Sequence, residues 1–92
     1  MRSKDELAKD WAKRGFSFGL WVDTPGQRWE DYVHQVDELL CVAEGSIELE
    51  MSGKRKILLP GEEVFIPAGV YHSVRNVGTS EAKWFYGYKR AA

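Results

Sequence analysis

The sequence predicts an all-β domain, a sandwich or barrel of about eight short strands preceded by one short helix. Three observations carry this reading. From Phe16 onward, apolar and polar residues alternate at the period of a strand. Turn residues punctuate the chain roughly every 8–12 positions. Ahead of both lies a stretch of helical period that opens on Ser3-Lys4-Asp5-Glu6. That tetrad is a capping box, in which a hydroxyl and a carboxylate satisfy free backbone N–H groups of a helix's first turn.

The helix is expected over about Lys4–Arg14, with Leu7, Ala8, Trp11 and Ala12 on one stripe and Gly15 placed to end it. Its amphipathic face reads as a cover for the core or a contact between subunits, not as chemistry. Phe16, Phe18, Leu20 and Val22 then share one parity of a strand, with Ser17, Gly19 and Trp21 on the other. Asp23-Thr24-Pro25-Gly26 has Pro and Gly where a type II turn wants them, and a second strand runs from Trp29 to Val36. Leu39–Glu44 and Ser46–Met51 flank Gly45, and Ser52-Gly53 makes a tight turn. Arg55–Leu59 runs to Pro60-Gly61, and Glu63–Ile66 to Pro67-Ala68-Gly69. His72–Val77 and Ala82–Lys89 complete the set around Gly78-Thr79-Ser80. The helix (residues 1–15) and the barrel (residues 16–92) are expected to form one domain, since 92 residues do not hold two cores.

Composition excludes several functions. Thirteen Lys and Arg against fourteen Asp and Glu give a net charge of −1, so no positive field exists for nucleic acid. Lys54-Arg55-Lys56 reads as the solvated rim of a hairpin. Met1–Arg14 contains no apolar core of a signal peptide, and uncharged runs such as Gly15–Val22 fall short of the roughly 20 residues of a membrane span. Cys41 is the single cysteine and cannot bridge internally, which suits a small buried hydrophobe in a reducing compartment. A cytoplasmic protein is expected. Leu39, Cys41 and Trp21, read as outward apolar side chains, lead to the expectation of a homodimer.

The sequence has only two histidines, His34 and His72. Gly26-x5-Tyr32-x-His34-x3-Glu38-x6-Gly45 fits the first motif of the cupins, G-x5-H-x-H-x3,4-E-x6-G, with Tyr32 in place of the first histidine. Gly61-x5-Pro67-x-Gly69-x2-His72-x3-Asn76 fits the second, G-x5-P-x-G-x2-H-x3-N, at every fixed position. The chain therefore resembles a small single-domain cupin of the cupin 2 type. The resemblance implies a double-stranded β-helix, the jelly-roll barrel, whose two motifs lie on neighbouring strands and point their ligands inward. The glycines have local duties: Gly26 and Gly61 follow prolines in turns that require φ > 0. Tyr32 and His34 are two apart on one expected strand and so face one side, while Glu38 returns to the same pocket after a bend at Gln35–Asp37.

By the same resemblance His34, Glu38 and His72 are metal ligands, and Tyr32 holds the position of a fourth. Two imidazoles and a carboxylate suit iron, manganese, nickel, copper or zinc. Tyr32 admits three readings. It completes the shell as a phenolate, or orients a ligand or acts as general acid or base from outside it, or fills the space of a lapsed site. Phe18 and Leu20 from the first strand, with Trp84 and Tyr86 from the last, are candidate walls of a narrow, mostly apolar pocket for a small molecule. The functional expectation is a mononuclear divalent metal site acting on a small oxygen-bearing molecule such as an organic acid, sugar derivative or phenolic. The alternatives are a non-catalytic small-molecule binder with a lapsed metal site, or a storage role.

Overall fold

A computed structural model describes residues 2–91, so Met1 and Ala92, the outer ends of the expected helix and barrel segments, lie outside the described residues. Helix α1 (Lys4–Lys13) begins at the capping box: Glu6 N–H donates to Ser3 Oγ and Ser3 N–H donates to Glu6 Oε1, both at 3.1 Å. Eight strands follow: β1 (Gly19–Asp23), β2 (Arg28–Tyr32), β3 (Glu38–Glu44), β4 (Ile47–Met51), β5 (Lys54–Leu58), β6 (Glu63–Ile66), β7 (His72–Arg75) and β8 (Ala82–Tyr88). They form two antiparallel four-stranded sheets, ordered β1-β8-β3-β6 and β2-β7-β4-β5. This is the expected two-sheet jelly roll with one short N-terminal helix.

The core lies between the sheets, where Leu40, Val42, Ile47, Leu49, Leu58, Ile66, Val74 and Trp84 pack together. A second cluster sits on the outer face of the first sheet. There Leu7 and Trp11 of α1 cover Leu39 and Cys41 of β3, with Phe16, Phe18 and Phe85 around them. Strand β3 is thus buried on both faces, which explains its unbroken apolar run. The helix approaches closely because β8 carries Gly87 opposite Leu39. A Cβ on Gly87 would run into the Ser17 carbonyl oxygen and the Trp11 ring. Trp11 Nε1 also donates to Glu63 Oε1 at 2.8 Å.

Two of the apolar side chains behind the expected homodimer are covered within the chain, Leu39 and Cys41 by α1, while Trp21 faces the cavity and stays 41% exposed. A second difference concerns β1, which starts at Gly19 instead of Phe16. Antiparallel partners directly opposite each other share a face. Gly19 stands opposite Tyr86 and Trp21 opposite Trp84, so the inward parity is that of Gly19 and Trp21. Phe18 turns outward under the helix, and Leu20 stays 45% exposed.

Strand β2 ends at Tyr32, four residues before the expected end, and contains a β-bulge. Trp29 pairs with Val74 and Tyr32 with His72, so three steps on β2 match two on β7. Asp31 absorbs the extra residue at φ +55°, its N–H donating to Ser73 Oγ at 3.0 Å. Trp29 and Tyr32, which simple alternation would place on opposite faces, both face inward. Beyond Tyr32 the chain leaves the sheet: the His34 carbonyl accepts from Gly69 N–H at 2.8 Å, and Asp37 Oδ1 accepts from Ala68 N–H at 2.8 Å. The Pro67-Ala68-Gly69 turn thereby anchors the bend that carries His34 to Glu38.

Asn76, the last fixed residue of the second motif, has a structural task. Its buried Nδ2 donates to the carbonyls of Thr24 and Ser80 at 3.2 and 2.9 Å, and its Oδ1 accepts from Gly78 N–H at 3.1 Å. It ties the turn at Gly26, where φ is +84°, to the loop between β7 and β8.

Candidate metal centre

Three segments deliver three ligand atoms to one point between the sheets. His34 comes from the anchored bend, Glu38 from the first residue of β3, and His72 from the first residue of β7. Their donor atoms all lie within 4.8 Å of one another, the one such cluster among the described residues. His34 Nε2 and His72 Nε2 lie 3.3 and 3.5 Å from the same oxygen, Glu38 Oε1. Neither makes an aligned hydrogen bond with it, and Glu38 Oε1 is buried without any hydrogen-bond partner. A buried acceptor left without a donor costs on the order of 1–3 kcal/mol, and more if charged.

Electrostatics follow from burial. The Glu38 carboxyl is pushed up to about 7 by loss of water, well above the ordinary carboxylate range. Burial and the neighbouring His72 ring hold His34 below the usual histidine value. On the far side of its ring, His72 Nδ1 lies 3.2 Å from the Val70 carbonyl oxygen. If Nδ1 carries the proton to that carbonyl, Nε2 keeps its lone pair, as metal-binding imidazoles require. Two imidazole nitrogens and a desolvated carboxyl with no aligned hydrogen bond between them form a site that a cation would complete, so the donor set fits a divalent metal.

The ligands form one end of a cavity of about 370 Å³, near the lower end of small-molecule sites. Tyr32 lines it from opposite His72, with 43% of its surface exposed. Trp84 and Tyr86 line it as expected of β8, whereas Phe18 and Leu20 do not, because the inward parity of β1 is the other one. Phe18 stacks on Phe85 at 4.9 Å instead, beneath the helix. In their place stand Trp21 and Trp29.

Tyr88 is the group that sequence reasoning underused. It shares the parity of Trp84 and Tyr86, a signal visible in the sequence, and its ring meets the edge of His34 at 5.0 Å. Burial and the Glu38 charge push its hydroxyl up to about 12, so it remains a neutral phenol at the His34 end of the cavity. Tyr86 lies flat against β1, where a Cβ on Gly19 would come within 2.7 Å of its ring. The missing Cβ of Gly19 leaves room for the Tyr86 ring in the cavity wall.

Comparison with known proteins agrees with this architecture. Residues 19–88 match the Cupin_2 family of cupin domains. The chain is 33% identical over 76 residues to the polyketide synthase CurC of Streptomyces cyaneus, covering 82% of this chain and 49% of that protein. It is 33% identical over 73 residues to protein SchB of Streptomyces halstedii, covering 78% of this chain and 52% of that protein. The chain thus spans about half the length of these curated relatives. Among solved structures, a cupin 2 conserved barrel domain protein of Salinispora arenicola superposes with a TM-score of 0.75 at 25% identity, over 84% of this chain and 65% of that one. The two motifs, the two-sheet barrel and the matched span together establish that this chain belongs to the cupin domain family.

Proposed function

We propose that this cupin holds one divalent metal ion through His34 Nε2, Glu38 and His72 Nε2, and uses it on a small oxygen-bearing molecule in the adjoining cavity. The observation that carries the reading is Glu38 Oε1, buried, without a hydrogen bond, and flanked by two imidazole nitrogens at 3.3 and 3.5 Å. A bound metal would supply Lewis-acid polarisation of a ligand oxygen, with iron, manganese, nickel, copper and zinc all compatible with the donors.

The chain's own residues do the rest. Val70 orients His72 through its carbonyl. Tyr88 stays protonated and offers an O–H donor beside the ligands. Tyr32, in the place of the family's first histidine, offers its hydroxyl at the cavity mouth to hydrogen-bond the bound molecule. The aromatic walls exclude water and favour a ring-bearing ligand, so a phenolic fits better than a sugar derivative.

The test is the metal content of protein purified without added metal or affinity tag. About one metal per chain is expected, and it should be lost in folded His34→Ala and His72→Ala variants. An empty site after incubation with all five metals would leave the alternative reading, in which the aromatic cavity binds a small molecule without metal. With Leu39 and Cys41 covered by α1, a homodimer is proposed instead on Leu20 and Val22, exposed on the edge strand β1. A single monomer mass by light scattering would remove it.

A further inference from the structure

We propose that the cavity takes the two ends of one ligand separately: hydroxyl and carboxylate oxygens at His34, Glu38 and His72, and a planar aromatic body against Trp21 and Trp29, which Asp23 holds in place as a positioning residue. The inference rests on the proposed function for its polar end. Its second end rests on the indoles alone.

Asp23, the last residue of β1, is 2% exposed. Among the described residues no Lys, Arg or His pairs with it. Its carboxylate accepts instead from Trp21 Nε1 at 2.7 Å and from Trp29 Nε1 at 3.0 and 3.2 Å. Burying a carboxylate on two neutral donors is a poor route to stability, since an apolar residue would avoid the desolvation altogether. What the arrangement achieves is geometric.

Strands β1 and β2 are edge strands of opposite sheets. Asp23 joins them through the two indoles at the side where the sandwich would otherwise open. The rings are thereby fixed edge-to-face, 5.5 Å apart at 76°. Both N–H groups are consumed by Asp23, so Trp21 and Trp29 present to the cavity only carbon surface and π faces. The wall continues from Trp21 to Tyr86 at 6.4 Å and from Trp29 to Tyr32 at 6.0 Å. It reaches the metal end through Tyr88, 5.9 Å from Tyr86 and 5.0 Å from His34. A slot whose indole side offers only carbon surface, and whose far end gathers His34, Glu38 and His72, selects a flat ring system that carries its oxygens on one edge.

The experiment titrates the 92-residue chain, with and without manganese, with three probes that share adjacent hydroxyl and carboxylate groups. These are lactate with no ring, salicylate with one, and 3-hydroxy-2-naphthoate with two. For the wild type, affinity should rise by roughly tenfold or more from lactate to the naphthoate, as ring area is buried. In Asp23→Leu that gradient should fall to less than about threefold while metal content and lactate binding stay unchanged, because only the orientation of the indoles is lost. Asp23→Asn, whose Oδ1 still accepts from both indoles, should retain the gradient. A merely structural role would not separate Leu from Asn in the ring-count dependence while sparing lactate.

A flat series in the wild type, or a gradient intact in Asp23→Leu, overturns the proposal. Should Asp23→Leu not fold, Trp29→Phe carries the test: it should weaken the naphthoate at least about threefold and leave lactate unchanged, and equal binding overturns the proposal. The two readings fail separately. One metal per chain with a flat series removes only the aromatic slot. A metal-free protein that still ranks the probes by ring count removes only the metal.

Discussion

His72 and Arg75 stand three residues apart on β7 and face opposite sides of the same sheet, and the clusters they join have opposite character. On the outer face Arg75 is fully engaged. Its Nε and Nη2 donate to the two oxygens of Glu30 at 2.7 and 2.8 Å, its Nη1 to Glu48 and its Nη2 to Glu50, each at 2.8 Å. Glu30 is held down at about 2, and the Arg75 guanidinium is stabilised in its charged form. On the inner face Glu38 sits between two imidazole nitrogens with an oxygen that nothing satisfies, and its carboxyl rises to about 7. A charge cluster that serves the fold closes its own hydrogen bonds. One that leaves a buried acceptor open has room for a further partner, as the proposed cation would be.

The largest effect expected from this contrast is that of Glu38→Gln. It should weaken metal binding beyond the ~10–100-fold typical of losing an outer partner of a ligand, as measured by metal titration. It also removes a pH trend in chelator-treated protein. The Glu38 carboxyl is raised from 4.5 to about 7 in the folded chain, so its contribution is fully present below 4.5 and is lost as pH rises through 7. The wild type should therefore lose about 3 kcal/mol relative to Glu38→Gln between pH 4.5 and pH 8 in urea unfolding. Equal slopes for the two proteins would mean that Glu38 is solvated, and the contrast would collapse.

Next in size is Arg75→Met, which leaves three carboxylates facing one another. The thermal midpoint should fall by several degrees while the metal content per chain stays at the wild-type level. Loss of metal in this variant would show that the outer cluster supports the inner one. A smaller effect appears in acid. Glu30 has its folded value lowered from 4.5 to about 2, so its stabilising contribution is present above 4.5 and disappears as pH falls through 2. Glu30→Gln should flatten that acid limb, measured by thermal unfolding from pH 5 to pH 2.

The smallest expected effect lies at the bulge that sorts β2 between the two clusters. Asp31 holds φ +55°, a region that costs an L-residue roughly 1–2 kcal/mol and a glycine nothing. Asp31→Gly should match or slightly exceed wild-type stability, and Asp31→Val should lose about 1–2 kcal/mol. Equal stability of the two variants would show that the bulge relaxes and does not enforce the sorting.

Much of the site was legible before the structure. His34, Glu38 and His72 are marked by the motif spacing, and the structure gathers their donor atoms within 4.8 Å. Gly26, Gly61 and Pro67 mark turns that appear where the sequence places them. The walls were only half legible. Trp84 and Tyr86 line the cavity as their strand alternation suggests, but Trp21, Trp29 and Tyr88 replace Phe18 and Leu20. Alternation tells which residues share a face and is silent on which face is inside. On β1 both parities are apolar, because one meets the cavity and the other carries Phe18 under α1.

By itself the sequence determined the order of helix and strands, the main turns and the residue types of the candidate ligands, since these depend on period, on Gly and Pro geometry, and on residue type. Tertiary structure alone decided the facing. Pairing with β8 turned Trp21 inward, a one-residue bulge at Asp31 brought Trp29 and Tyr32 to the same side, and α1 covered Leu39 and Cys41. The open oxygen of Glu38 and the two indoles on Asp23 likewise exist only once distant strands meet. The physical reason is the same in each case: a hydrogen-bond partner, or its absence, is a property of two segments in space.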